Sequence, residues 1–175
     1  MRTVLVIGFI TQMIEHHEAM LLLIRHDKTG SAFALARSIF ESMYRGLWIN
    51  FCATHAQIEE FERNDELPLN MTQMARAIDE QYRAQGFYED LKNRGWAALC
   101  SYTHTGQLQL GRRFTGANVQ PSYSDAEILE VATSETTCVL LLVGRFLAAQ
   151  NHANESREAE GLIQTYGPAQ RSAVP

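Results

Sequence analysis

Apolar residues recur at spacings of three and four along most of this chain, and that period admits little except helices. Val6, Ile10, Met13, His17, Met20 and Ile24 alternate between steps of four and three, which places them on one helix face. This first helix is expected to end around residues 25–30, where Gly30 permits a turn and Arg25, His26 and Lys28 suit a helix C-terminus. Ser31 can cap a second, long helix reaching about Glu62. Its core stripe is Phe33, Phe40, Tyr44, Leu47, Phe51, Ile58 and Phe61. Roughly the opposite side carries Ser38, Ser42, Gly46, Ala53 and Ala56, small enough for another helix to approach closely. A helix built this way belongs at the centre, with neighbours on both sides.

Residues 64–68 form a loop, after which Asn70 caps a third helix with Gln73 at the capping-box position. Met71, Met74, Ala75, Ile78 and Tyr82 are its apolar side. Gly86 interrupts, residues 87–94 make a short helical turn that Gly95 stops, and residues 96–102 form one more helical piece. From 103 to 123 the pattern fades among Gly106, Gly111, Gly116 and Pro121, and the single alternating run 107–110 does not support a sheet. Ser124 and Glu127 then make a capping box ahead of Ile128, Val131, Glu135, Val139, Leu142 and Phe146, which carry a helix to about Gln150. A short surface helix at 155–166 frays at 167–168. The expected fold is all-α, a helical bundle of four main helices plus short helical pieces. Residues 1–150 form its single domain, and 151–175 are a C-terminal short helix and frayed tail.

The chain has 175 residues, 46% of them hydrophobic, enough for a core without disulfides or metal. Cys52, Cys100 and Cys138 are odd in number and match no zinc spacing, which points to a reduced, cytoplasmic compartment. Arg2 and the apolar run 4–10 look like the start of a signal peptide, but no small-residue cleavage site follows. The apolar runs 139–143 and 146–149 are broken by Gly144 and Arg145 and read as too short to span a bilayer, so no membrane partner is expected. The net charge of −5 argues against a general nucleic-acid binder but not against a local basic pocket. Walker A, G-x-G-x-x-G, G-x-S-x-G and H-E-x-x-H patterns are absent. In Glu15-His16-His17-Glu18, neighbouring side chains point about 100° apart around a helix, so no metal site is expected. His17 reads instead as a hydrogen-bonded core histidine. No cofactor is implied.

One polar constellation carries chemistry. On the long helix Arg37, Glu41, Arg45, Trp48, Cys52, His55 and Glu59 share a stripe. It is either a solvated face laced with i,i+4 ion pairs or, because Trp48 and Cys52 belong to it, a partly covered one. If it is covered, an Arg–Glu–Arg ladder keeps one net positive charge and unused guanidinium donors, which suit a phosphate or carboxylate. The second cluster is Trp96, Ser101, Tyr102, Thr103 and His104, followed by Arg112 and Arg113. Either His104 and Thr103 bond to the free carbonyls of a helix C-terminus, or His104 faces Arg37 and Arg45. In the second case it is a phosphate contact or a general base, the one catalytic candidate, with Ser101 or Tyr102 assisting.

The spacing of Arg37, Glu41, Arg45, Trp48, Trp96 and His104 over residues 25–147 resembles a family of small bacterial helical proteins known only as a domain of unknown function. More distantly, the arrangement is similar to the HEPN superfamily, helical bundles that often dimerise and include RNA-cutting toxins and phage-defence proteins. That likeness implies a homodimer and a link to defence or toxin–antitoxin systems. Arg94 and His104 have nine residues between them, as do Arg45 and His55, too many for either pair to form its Arg-x4–6-His hallmark. The expected function is therefore binding of an anionic group on a nucleotide, RNA end or metabolite. The pocket would be lined by Arg37, Glu41, Arg45, Trp48, Trp96, Ser101, Tyr102, His104 and Arg112. The alternatives are a non-enzymatic homodimeric module, joined through an apolar surface of the first or fourth helix, and a HEPN-like ribonuclease using His104 with Arg37 or Arg112.

Overall fold

Three capping boxes punctuate the chain, at Thr54 with Gln57, Asn70 with Gln73 and Ser124 with Glu127. In each, the cap side chain accepts the third residue's N–H while that residue's side chain reaches back to the cap's own N–H. The computed structural model describes residues 1–167. These form helices α1 (Arg2–Arg25), α2 (Thr29–Phe51), α3 (His55–Asn64), α4 (Met71–Tyr82), α5 (Phe87–Thr103), α6 (Gln107–Gly111), α7 (Asp125–Ala149) and α8 (Ala153–Tyr166). A two-residue antiparallel hairpin, β1 (Phe114–Thr115) with β2 (Asn118–Val119), pairs Phe114 with Val119. The fold is all-α. The expected fraying after residue 167 falls on positions outside the described residues.

The centre of the molecule is α2, which packs on α1, α4, α5 and α7. Its buried residues include Phe33, Phe40, Tyr44, Leu47 and Trp48. The small-residue side works as the sequence suggests. A Cβ added at Gly46 would lie 2.6 Å from Leu142 Cδ2 of α7, so the Leu142 side chain fills the space that glycine leaves open on α2. On α1, Val6, Met13 and Met20 are buried, and His17 bonds through Nε2 to the Thr136 hydroxyl of α7 at 2.8 Å.

Helix boundaries differ from the sequence reading in places. The long helix does not reach Glu62, because α2 stops at Phe51 and the Thr54 cap restarts the chain as α3. The break is closed from outside. The Arg2 guanidinium, in the first turn of α1, donates to the carbonyls of Ile49, Asn50 and Ala53. Arg2 thus serves the free acceptors of a helix C-terminus. Gly95 does not stop a helix either; α5 runs through it, and its missing side chain faces the Phe40 ring. Residues 107–110, where the sequence pattern fades and no sheet is expected, coil into α6. As expected, α7 runs through Gly144 and Arg145 to Ala149, and Gly144 gives room for Ala159 of α8. With 25 residues and a mean hydropathy of 1.4 in its most apolar window, α7 is long and apolar enough to cross a membrane. In this fold it packs on α1, α2 and α8.

Candidate functional site

The ladder expected on α2 is formed. Arg45 Nη2 donates to Glu41 Oε1 at 2.6 Å, and Arg37 Nε stands 3.6 Å from Glu41 Oε2. One carboxylate therefore serves two guanidinium groups and leaves a net positive charge. The side chains are half-buried, with Arg37 21%, Glu41 24% and Arg45 35% exposed, so the ladder is neither an open face nor sealed.

The end of α5 comes back over α2. His104, the residue that ends α5, accepts a hydrogen bond at Nε2 from Arg37 Nη1. A guanidinium can only donate, so Nε2 is the acceptor of this pair. The Arg37 guanidinium carbon also sits 4.9 Å from the Trp96 ring centroid, a cation–π distance. Arg37 is thus held by Glu41, His104 and Trp96 together.

Glu41 and Arg45 open on the other side into a cleft of about 500 Å³, which lies within the size range of small-molecule sites. Trp96 is on its wall, and Leu67, Leu69, Met71 and Met74 give it an apolar lining. Asp65, Asn70 and Thr72 are its further polar groups, and Lys92 Nζ donates to the Thr72 hydroxyl at 2.9 Å from outside the lining. A smaller cleft of about 170 Å³, bounded by Phe9, Gln12, Ser38 and Ser42, touches the same Glu41 and Arg45.

The remaining expected site residues lie elsewhere. Trp48 is 2% exposed and belongs to the core, outside the lining of either cleft. Ser101 accepts the Leu108 N–H at 3.1 Å and packs against Gly106, which shapes the α5–α6 turn. Tyr102 stands edge-on to Phe33 with ring centroids 5.1 Å apart. Thr103 donates to the carbonyls of Leu99 and Ala34, so it is this residue, and not His104, that serves the helix carbonyls. Arg112 pairs with Glu127 at the start of α7. His55 and Glu59, read as part of the ladder stripe, fall on α3 and pair there with each other in solvent.

Sequence reading missed the opposite wall of the cleft, residues 65–74. Its one local signal is the Asn70 capping box, which marks where α4 begins but not what it packs on.

Elsewhere in the molecule burial governs the titratable groups. It raises the Cys52 thiol to about 11 and the Cys138 thiol well above its usual range, so neither is a thiolate nucleophile near neutrality. Burial likewise lifts Glu135 well above the carboxylate range and lowers His17. Among the described residues, no group of three His, Cys, Asp or Glu is placed to hold a metal ion.

A helical protein with a polar ladder beside a half-apolar cleft is the class these observations define. Within it, the chain belongs to the family of unknown function DUF6988, which matches residues 10–166. The chain matches no curated protein and no solved structure.

Proposed function

We propose that this protein is a small-molecule-binding module whose cleft takes a ligand by an anionic group, with Arg45 as the charged contact and Trp96 as the apolar one. The observation that carries this reading is the joint placement of Arg45 and Trp96 on one cleft of about 500 Å³. One edge of the Arg45 guanidinium holds Glu41, and its half-exposed remainder keeps donors for a carboxylate or phosphate. Arg37 and His104 act behind this contact by fixing Glu41 and Trp96. Binding is favoured over phosphodiester cleavage, because the His104 Nε2 lone pair is already taken by Arg37 and Arg112 is occupied by Glu127. The HEPN-like packing, a cytoplasmic and bacterial setting and a tie to defence or toxin–antitoxin systems belong to the same reading. The cytoplasmic setting is supported by the three unpatterned cysteines, and the rest by the spacing of the ladder and His104 in the sequence.

The test is a titration with phenylacetate and phenyl phosphate, followed on the two indole N–H resonances. Arg45-dependent binding shifts the Trp96 signal, leaves Trp48 unmoved and is lost in Arg45→Gln. No shift of Trp96 with either probe, or the same shift in Arg45→Gln, overturns the proposal.

A second reading, self-association, has its own observation. Val4, Ile7, Ile14 and Leu22 are exposed on the outer side of α1, at 66%, 45%, 41% and 56%. An antiparallel pair of α1 helices about a two-fold axis would set Val4 of one copy against Leu22 of the other. Light scattering at high micromolar concentration tests it, and a monomer there overturns it.

A further inference from the structure

Arg37 touches two residues of the cleft lining, Glu41 and Trp96, and one exposed, titratable residue, His104. Its grip is uneven. Arg37 Nη1 donates to His104 Nε2, whereas Arg37 Nε is buried without a hydrogen-bond partner and stands 3.6 Å from Glu41 Oε2. Glu41 Oε1 is already taken by Arg45 Nη2 at 2.6 Å. The carboxylate thus has one oxygen engaged and the other a short movement from an idle donor. Because a guanidinium cannot accept, the contact with His104 exists only while Nε2 keeps its lone pair. Protonation turns Nε2 into a donor and sets two cations against each other. The elements packed on α5 bring few other charges to this point. α2 carries the ladder itself, Arg37, Glu41 and Arg45, and α6 has no ionisable residue. On α4, Arg76 and Asp79 serve the start of α5, through Glu89 and the N–H groups of Tyr88 and Glu89, and Glu80 acts on Cys52. Arg112 is paired with Glu127.

We infer that protonation of His104 moves Arg37 off the imidazole and onto Glu41 Oε2, so that the cleft holds an anion more tightly in mildly acid than in neutral solution. This rests on the anion-binding reading of the same cleft and adds its regulation. With both oxygens of Glu41 engaged, less of its charge opposes an anion on Arg45, and the imidazolium adds a positive charge beside the ladder. His17, His55 and His152 are engaged elsewhere, with Thr136, Glu59 and Glu155.

The experiment combines NMR and calorimetry on the full chain between about pH 5 and pH 8, the range in which histidine ordinarily changes charge. In the free protein the Arg37 Nε–H and Trp96 indole resonances are expected to move together as His104 titrates. They should stay fixed in His104→Gln, whose amide oxygen can still accept from Arg37 but takes up no proton. Phenylacetate is expected to bind about threefold more tightly at the acid end, the effect of one partly screened charge. That gain should vanish in His104→Gln, and His104→Lys should bind tightly at both ends. If phenylacetate binds through Arg45 with the same pH dependence in His104→Gln, the switch falls and the anion reading stands. An Arg37 Nε–H signal that ignores the titration of His104 overturns the switch likewise. If phenylacetate binds at neither end, both fall together.

Discussion

Glu135 lies in the interior of α7 at 2% exposure, and its Oε2 is buried with no hydrogen-bond partner. An acid in that setting is held neutral by desolvation, and a buried unmatched polar group costs roughly 1–3 kcal/mol. Because its folded-state pKa is raised, the associated stability is present below the unfolded value of 4.5 and is lost as pH rises. Glu135→Met should therefore raise the melting temperature, by more at pH 8 than at pH 5. Melting curves at the two values decide it, and a destabilised variant or a pH-independent gain contradicts the account. His17 works in the opposite direction. Burial depresses its pKa, so folding loses stability as pH falls below the unfolded value of 6.5, where the denatured chain takes the proton first. His17→Gln, which can still reach Thr136, should flatten the acid side of the stability profile, measured by urea unfolding between pH 7 and pH 5.

At the scale of the elements, two glycines of similar sequence appearance have opposite consequences. Gly46 on α2 lies against Leu142, so Gly46→Ala should destabilise by about 1–3 kcal/mol through overpacking. Gly95 in α5 has no atom nearer than 3.8 Å to an added Cβ, so Gly95→Ala should stabilise by up to about 1 kcal/mol through helix propensity. Denaturant midpoints separate the two, and equal signs would refute the packing argument. Gly95 also marks where local sequence reasoning fails. A glycine between helical runs reads as a stop, but the packing of α5 on α2 and α4 carries the helix through it. Helix starts were legible where cap and period agree, as at Asn70 and Ser124. Thr54 and Gln57 have the same cap chemistry, but the apolar stripe of Phe51, Ile58 and Phe61 runs through them without interruption and conceals the break. The ladder was legible because i,i+4 spacing is local, whereas His104 meeting Arg37 was one of two alternatives the sequence left open. The residues 65–74 were not, since only the docking of α4 on α2 makes a wall of them.

On the scale of the whole molecule, the contact that joins the most distant parts of chain around the α2–α3 junction is Arg2 on the carbonyls of Ile49, Asn50 and Ala53. Arg2→Met keeps much of the aliphatic reach and removes the donors. It should cost about 1–3 kcal/mol, since carbonyls at a helix end lose their partner, and hydrogen exchange should quicken at residues 52–54. A variant with unchanged stability and exchange would make the clasp incidental. The exposed outer side of α1 and the mean hydropathy of α7 show that neither flanking helix is specified by its apolar content alone. The arginine clasp has a practical corollary for anyone handling the polypeptide. Its opening turn acts as a rivet driven through a bend 51 positions downstream, so trimming those few residues, or fusing a bulky tag directly to them, would be felt at that remote bend, whereas an appendage on a long spacer would not.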